Sequence, residues 1–538
     1  MSKAENTTEV KSLKSNDIHS TDGRKPSVSL GVVDDIDNNV LRAQGHEAAM
    51  PRTFSRLSSI ALGFGITNSW IAYLSNFGVN AAYGGRVNVI FCALIAAFVQ
   101  WFITCGLSEI ASAFPSSGGQ YHFVWVLATG STRRFGAYVI GWMTILGWWI
   151  IACSGTALSA VSIMGLANFW HPEFVATQWQ IWLVYVAVVS ITVAPVIFFP
   201  KIIPKVAQFV LFMSITGFVI CFIILLAMKK TFVSGEVVLA RDQGTSGWAD
   251  GVAWFLGIGN ALFAYVGTDA PIHIAEEMHQ PGRRLPECLN TTLAIGVVTT
   301  VPLLTVMMFT MLDIDAVTSS ALPSIELFYQ VTGSKGVATF MLVWITIIYT
   351  MCITPQWVTC GRMAWAFSRD NGLPFSNYFG KIDERTQTPL RATILSVIFV
   401  WIYGLLFIAS TTAFNSIVTS AVMYLNITYA IPQGILLFRG RSILPTRALN
   451  LGYFGLFCNV FSPVAVTAIV IFNCFPSFIP IEVSTMNWSS VVLVGLFGAI
   501  VILWFAMGRR TFRGPNVDMD MISAANLQEN QFSKKELA

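Results

Sequence analysis

The chain has 538 residues, of which 54% are apolar and only 11% are Asp, Glu, Lys or Arg. An ordinary soluble domain carries about 25% charged residues, so the charge is too sparse to cover one or several soluble domains, and the apolar content excludes a disordered or fibrous chain. A formal net charge of +4 leaves no electrostatic footprint for nucleic acid, and the class that fits is an all-α polytopic membrane protein whose first partner is the lipid bilayer.

Residues 1–50 are rich in Ser, Asp, Asn, Lys and Thr and lack a helical apolar period. They are expected to form a disordered cytoplasmic tail without a signal peptide, with Lys3, Lys11, Lys14 and Lys25 as candidate ubiquitin acceptors. A membrane domain follows over 51–510, in which apolar stretches of roughly 20 residues, the length that spans a bilayer, recur. The predicted transmembrane helices cover 58–80, 88–108, 135–164, 179–198, 203–227, 252–275, 289–312, 337–361, 391–410, 414–437, 453–475 and 488–508, twelve in all. Residues 511–538 are polar again and form a C-terminal tail.

Basic residues set the orientation. With the N-terminus placed in the cytoplasm, nineteen loop cations, among them Arg133, Lys201, Arg283, Arg362, Arg439 and Arg509, fall on the cytoplasmic side. Five (Arg86, Lys229, Lys230, Arg241 and Lys335) fall on the other. That asymmetry predicts both termini in the cytoplasm.

Two spans break the pattern. The first reads SIALGFGITNSWIAYLSNF, with Gly63 and Gly65 in mid-span followed by Thr67, Asn68 and Ser69. Glycine costs about 1 kcal/mol in a helix interior, and Thr, Asn and Ser favour caps. The sixth places Gly267, Thr268, Asp269 and Pro271 together, and Pro271 suits the first turn of a helix that restarts after Asp269. Both spans are predicted to be broken, at matching positions of two halves. Unwound backbone cannot face lipid, so it lines a cavity, and paired breaks point to a transporter of inverted repeats with its site at the breaks.

Asp269 is the one acidic residue of 28 placed well inside a span, which makes it a functional candidate by cost alone. It serves as the cap of the second half-helix, as the group that meets a substrate ammonium or a coupling proton, or as both. Asp269, His273 and Glu277 are spaced i, i+4, i+8, one face of an α-helix, and such a ladder suits a proton relay as well as it suits a satisfied core histidine beside an interfacial acid. At the first break, amides around Ile66 to Ser69 and carbonyls around Ala61 to Phe64 are expected to be free, a setting for a carboxylate on one side and a cation on the other.

Aromatics near the breaks (Trp70, Tyr73, Trp142, Trp148, Trp149, Phe255, Phe263, Tyr265, Trp344 and Tyr349) either cage a quaternary ammonium or pack against core and lipid. The stretch after span 2, with Pro115, Gly118, Gly119 and Gln120, predicts a tight irregular link. CGRMAWAFSRDNGLP after span 8 is amphipathic and basic, and predicts an interfacial helix. Asn487 opens a glycosylation sequon that abuts the last span. No Walker, HExxH or GxSxG motif occurs, and the nine cysteines, mostly inside apolar runs, form no CxxC or Cys/His cluster. Neither an enzyme nor a metal or other cofactor site is expected.

GFGITNSW in span 1, LSEIASAFPSSGGQYHF after span 2, HIAEEMHQPGRRLP after span 6 and RMAWAFSRDNGLP after span 8 resemble the amino acid–polyamine–organocation superfamily. Within it, TNSW, SGGQ and the Asp269/His273/Glu277 group look like the fungal amino acid/choline permeases, a branch that includes choline and γ-aminobutyrate permeases. The resemblance covers about residues 55–510. It implies a five-plus-five inverted repeat of the leucine-transporter type, with repeat one at about 58–227, repeat two at about 252–437 and two extra helices over 453–508. It also implies uptake by alternating access, usually driven by protons, across the plasma membrane, with the vacuolar membrane as the alternative. By motif position Gly63, Gly65, Thr67 and Asn68 on span 1, with Phe263, Tyr265, Gly267 and Asp269 on span 6, would contact the substrate. The relay candidates are Asp269, His273, Glu277 and, by its place at the entry of span 5, Lys205. AYVGTDAP departs from the choline permease pattern and leaves the substrate open among an amino acid, γ-aminobutyrate and choline. A sensor of the same fold that signals without transporting is the rival function.

Overall fold

The computed structural model describes residues 30–537 apart from 131, 230, 242–243, 410 and 483–485, and the side chains of 30–32, 410–417 and 532–537 are likewise outside the description. The four tail lysines and Lys230 lie outside the described residues. Among the described residues there is no β-strand, only an isolated bridge between Phe54 and Met278. Among the described residues, eleven helices are long and apolar enough to cross a membrane. In the predicted sixth span, 252–275, the structure has a shorter apolar helix, Asp250–Ala264.

In chain order, α1 (Leu30–Ala43) precedes the membrane domain. α2 (Arg56–Thr67) starts where the Ser55 hydroxyl accepts from the Ser58 amide, and α3 (Ser69–Leu74) continues beyond Asn68. α4 (Phe77–Ala113) is kinked at Gly84 and Gly85, and α5 (Gln120–Leu127) is a short buried helix after the Gly119 turn. α6 (Thr132–Trp170), α7 (Gln178–Phe198) and α8 (Ile203–Ala227) follow, with α9 (Gly235–Val238) in a loop. α10 (Asp250–Ala261) runs into 3-10 turns, Leu262–Ala264 and Ala270–Glu277. α11 (Pro281–Thr310), α12 (Ile314–Ser319), α13 (Pro323–Thr332) and α14 (Lys335–Arg369) come next. After α15 (Ser376–Phe379) the chain forms α16 (Leu390–Ala409), α17 (Thr411–Arg439), α18 (Gly452–Asn473) and α19 (Ser489–Leu503). A π-turn, α20 (Arg509–Thr511) and α21 (Met519–Leu537) end it.

Most of these helices are apolar all round, as a lipid-embedded bundle requires. One side buries aromatic anchors such as Trp70, Trp148 and Trp357, while Phe209, Ile223, Val298, Ile402 and Val494 are exposed, the surface that lipid would cover.

Three expectations are corrected. The tail is not structureless throughout: α1 buries Ile36, Val40 and Leu41 and packs on α21, with the Asp518 amide donating to the Ala43 carbonyl at 3.1 Å. Its apolar residues come close to the end of an otherwise polar segment, so composition over fifty residues hides them. The segment after span 8 is no interfacial helix. It is the last third of α14, which at about 1.5 Å per residue runs about 52 Å, and Arg362 through Ser368 are buried. The first span is interrupted at Asn68 (φ 35°, ψ 55°) and not at Gly63 or Gly65, which lie inside continuous α2.

The chain ends mark one face of the bundle. On that face Arg369 pairs with Glu276 at 2.9 and 3.0 Å, and Arg362 with Glu277 at 2.7 and 3.1 Å. Glu109, fully buried, is held by Arg441 and Arg447. His46 meets Asp370 at 3.1 Å, Tyr121 donates to the same carboxylate at 2.9 Å, and Gln44 donates to the Pro115 carbonyl at 2.9 Å. A buried ion pair that loses one partner costs about 3–5 kcal/mol, so these contacts tie the termini-bearing face shut.

Candidate functional site

Two helix interruptions face each other inside the bundle. At Asn68 the backbone turns left-handed, a conformation asparagine tolerates better than most residues. Its side chain is fixed on both sides: the Ser214 hydroxyl of α8 donates to Oδ1 at 2.8 Å, and Nδ2 donates to the Cys352 sulfur of α14 at 3.1 Å. The neighbouring Thr67 hydroxyl returns to the Gly63 carbonyl at 3.3 Å, and the Asn68 amide donates to the Phe64 carbonyl at 2.7 Å. The carbonyls of Gly63 and Phe64 are therefore engaged, against the expectation that they are free.

The second interruption runs from Tyr265 to Asp269. Gly267 has φ +84°, where a side chain would be strained, and a Cβ there would lie 3.4 Å from the Trp148 ring. Thr268 is pinned to Thr104 of α4 at 3.1 Å. Pro271 opens the turn that follows, as the sequence predicts, but that turn is 3-10.

Asp269 is fully buried and takes four donors. The Tyr429 hydroxyl of α17 reaches Oδ1 at 2.6 Å. Gln120 Nε2 of α5 at 2.6 Å, Trp148 Nε1 of α6 at 3.2 Å and His273 Nε2 at 3.1 Å all reach Oδ2. No hydrogen bond runs from its side chain to the following backbone, so its role is not that of a cap. One carboxylate thus joins three other helices to the unwound strand.

The three-residue ladder does not form. A 3-10 turn advances about 120° per residue, so Asp269, His273 and Glu277 do not share one face as they would on an α-helix, and the ladder stops at His273. His273 keeps its contact with Asp269 and turns Nδ1 to the Ser117 carbonyl at 3.1 Å, while Glu277 is taken by Arg362. Lys205, in the first turn of α8, is exposed and is not brought to this group.

A cavity of about 50 Å³ lies at the first interruption, lined by Thr67, Asn68, Phe263, Val266, Tyr349, Cys352 and Gln356 among others. A larger cavity of about 620 Å³ extends toward the face opposite the termini, past Asn76, Asn260, Asn473 and Asn487. Leu158 and Phe263 line both and form the partition. Among the described residues no Asp, Glu, Lys or Arg lines either cavity.

Of the residues predicted for substrate, Thr67, Asn68 and Phe263 line the inner cavity. Gly63 packs against α11, where a Cβ would come 2.6 Å from Thr292 Oγ1, and Gly65 packs against Val210 of α8. Tyr265, Gly267 and Asp269 are buried and line neither cavity. Of the aromatics, Trp148 serves Asp269, Tyr349 donates to the Ile71 carbonyl at 2.6 Å, and Phe255, half exposed, stacks on Phe472. Asn487 spends both amide hydrogens on the Asn473 and Phe475 carbonyls, which opposes its use as a glycan acceptor.

Tyr429, Gln120 and Gln356 are absent from the sequence-derived site. For Tyr429 a signal exists: Asn426, Tyr429 and Gln433, all fully buried, recur at helical spacing through an otherwise apolar span. Gln120 stands right after the paired glycines, and Gln356 right after the proline inside span 8.

Residues 54–506 match the family model described as amino acid permease. The chain is 30% identical over 484 residues to a choline transporter of Saccharomyces cerevisiae, covering 89% of this chain and 86% of that one. It is 26% identical to a swainsonine transporter of Arthroderma benhamiae, covering 86% and 92%. It is 24% identical to a 7-keto 8-aminopelargonic acid transporter of Saccharomyces cerevisiae, covering 88% and 96%.

Proposed function

The chain belongs to the amino acid permease family, and on that premise we propose that it is a secondary-active permease importing a small amine-bearing solute by alternating access with protons. An amino acid, γ-aminobutyrate or choline fits this description. The observation that carries the reading is the inner cavity at Asn68, placed between two interrupted helices, continuous in its lining with a wide cavity on one face and closed by buried ion pairs on the other. Such a state is one end of an alternating-access cycle. The basic loops support placing the ion-paired face and both termini in the cytoplasm, and plasma membrane is the proposed location.

Substrate and proton occupy different places in this proposal. The substrate sits against Thr67, Asn68 and Phe263. Asp269, with His273 as its proton partner, holds the coupling proton, since that pair is buried away from both cavities and linked to α5, α6 and α17. A proton on Asp269 removes an acceptor from a group that needs it for four donors, and thereby loosens the junction of those helices. The test is uptake of a labelled amine into proteoliposomes with an imposed pH gradient, acid outside. Concentrative, gradient-dependent uptake is expected. Binding of amines without any uptake would replace the permease with a non-transporting sensor.

A further inference from the structure

The inner cavity offers five polar side chains, and four of them already make hydrogen bonds within the protein. Thr67 bonds to Gly63, Asn68 to Ser214 and Cys352, Cys352 to Asn68, and Tyr349 to Ile71. The fifth, Gln356, has 5% of its surface exposed, and its Oε1 is buried without a hydrogen-bond partner. Its amide stands over Gly155 of α6, where even a Cβ would lie 3.2 Å from Oε1 and 3.4 Å from Nε2. A buried amide oxygen without a partner is unfavourable, and a ligand that donates to it would remove that cost.

The walls also limit the charge of that ligand. With no basic side chain in either cavity among the described residues, a carboxylate would be desolvated with no counter-charge. A primary ammonium brings three donors, and beside the one unpartnered acceptor, Gln356 Oε1, it would meet only hydroxyl and amide oxygens already engaged in other hydrogen bonds. A quaternary ammonium needs no hydrogen bond and is attracted to aromatic faces, which Phe263 and Tyr349 supply at the partition and inside.

We propose that Gln356 is the specificity-determining residue of this site, accepting a hydrogen bond from the neutral hydroxyl of a hydroxyalkyl quaternary ammonium whose cationic head lies at Phe263. The inner cavity of about 50 Å³ takes the small hydroxyl end, and the bulkier head sits toward the wide cavity beyond Leu158 and Phe263. The assignment rests on the permease reading and narrows its substrate.

The experiment compares inhibition of labelled choline uptake by choline, by ethyltrimethylammonium, which lacks only the hydroxyl, and by γ-butyrobetaine, which carries a carboxylate instead. In the unaltered protein choline is expected to outcompete ethyltrimethylammonium by on the order of ten- to a hundredfold, because a site built for a hydroxyl rejects the analogue that lacks it. γ-Butyrobetaine is expected not to compete. Gln356→Met keeps the length of the side chain and removes the acceptor, and it should bring the ratio of choline to ethyltrimethylammonium close to one, by weakening choline alone. Equal inhibition by choline and ethyltrimethylammonium in the unaltered protein overturns the assignment without recourse to any variant. An unchanged ratio in Gln356→Met, at normal surface expression, overturns it too. Strong competition by γ-butyrobetaine overturns the charge argument. A protein that takes up labelled amino acids but no choline keeps the permease reading and loses this inference, whereas a protein that takes up none of them loses both.

Discussion

In the proposed mechanism, Asp269→Asn should separate proton coupling from substrate binding. Oδ2 receives three donors and Oδ1 one. An asparagine that keeps its oxygen at the Oδ2 position and puts its amide nitrogen at Oδ1 keeps the contacts to Tyr429, Gln120 and Trp148, because the Tyr429 hydroxyl turns to accept, and a neutral His273 keeps its bond to residue 269 by giving up the one from Nδ1 to the Ser117 carbonyl. What disappears is the charge. A hydrogen bond to a charged group contributes about 1.5–3 kcal/mol and a neutral one about 0.5–1.5 kcal/mol, so four bonds lose about 4–6 kcal/mol together. Removing a carboxylate from a fully buried place recovers a cost of several kcal/mol, so the two terms oppose each other and the fold should hold, with surface expression unchanged. Asparagine neither binds nor releases a proton. Uptake against a gradient should therefore fall at least tenfold, together with its dependence on external pH, while exchange of labelled for unlabelled substrate across the membrane persists. Proteoliposomes with and without an imposed pH gradient measure both. Full gradient-driven accumulation by Asp269→Asn would refute the coupling role. Loss of exchange as well, at normal expression, would return Asp269 to the substrate site and refute the separation of the two.

Gly63→Ala should lower thermal stability by about 1–3 kcal/mol through overpacking, because its Cβ would lie 2.6 Å from Thr292 Oγ1. Adding Thr292→Ala should return much of the loss in a double-mutant cycle read by thermal unfolding in detergent, and strict additivity would contradict the contact. Outside the membrane, burial pushes the Asp37 carboxyl up to about 7, against the Gln280 amide and Arg52, which pull it down. Burial, with Asp37 nearby, pushes Glu529 up to about 8. Both are raised above the unfolded carboxylate value of about 4, so the docking they support is complete below that value and is lost as pH rises through about 7 and then about 8. Hydrogen exchange in α1 and α21, corrected for intrinsic rates, should show falling protection from pH 6 to 8.5, and a double Asp37→Asn, Glu529→Gln variant should flatten the profile. A profile equally steep in that variant would assign the effect elsewhere.

The membrane fold is legible in the sequence because composition and span length are statements about solvent, and each predicted apolar segment overlaps a helix. The neighbourhood of the site is legible for a related reason: glycine, proline and a lone carboxylate inside apolar runs carry costs that need a return. The wall of the site is not. Gly63 and Gly65 show the limit, since a mid-span glycine that permits close helix packing has the same local signature as one that unwinds a helix. Here Thr292, far away in sequence, decides for packing at Gly63, and α2 runs unbroken through Gly65. Asn68 carries the left-handed turn because Ser214 and Cys352 hold its side chain, and neither partner is visible from its neighbours in the chain. The relay ladder fails for a local reason, the 3-10 pitch, and for a distant one, the claim of Arg362 on Glu277.

The distance between the two functions is short along the chain, and this suggests how they communicate. Phe263 and Val266 line the inner cavity, and Asp269 follows three residues later on the same unwound strand. Between them Gly267 sits in a left-handed conformation against Trp148, and Thr268 is tied to α4 through Thr104. Trp148 is also a donor to Asp269, so one indole lies beside the unwound segment at Gly267 and bonds to its carboxylate at Asp269. A substrate that pushes Phe263 and Val266 acts on a strand with little freedom at its centre, and the displacement reaches the carboxylate and its four donors. In the proposed mechanism the reverse holds by linkage: a proton that weakens the hold of Tyr429, Gln120 and Trp148 on Asp269 would free the segment that forms the proposed substrate wall. Trp148→Phe, which keeps the ring but removes the donor, should therefore weaken the dependence of substrate affinity on pH while leaving affinity at low pH near that of the unaltered protein. An unaltered pH dependence in Trp148→Phe would mean that proton and substrate communicate by another route.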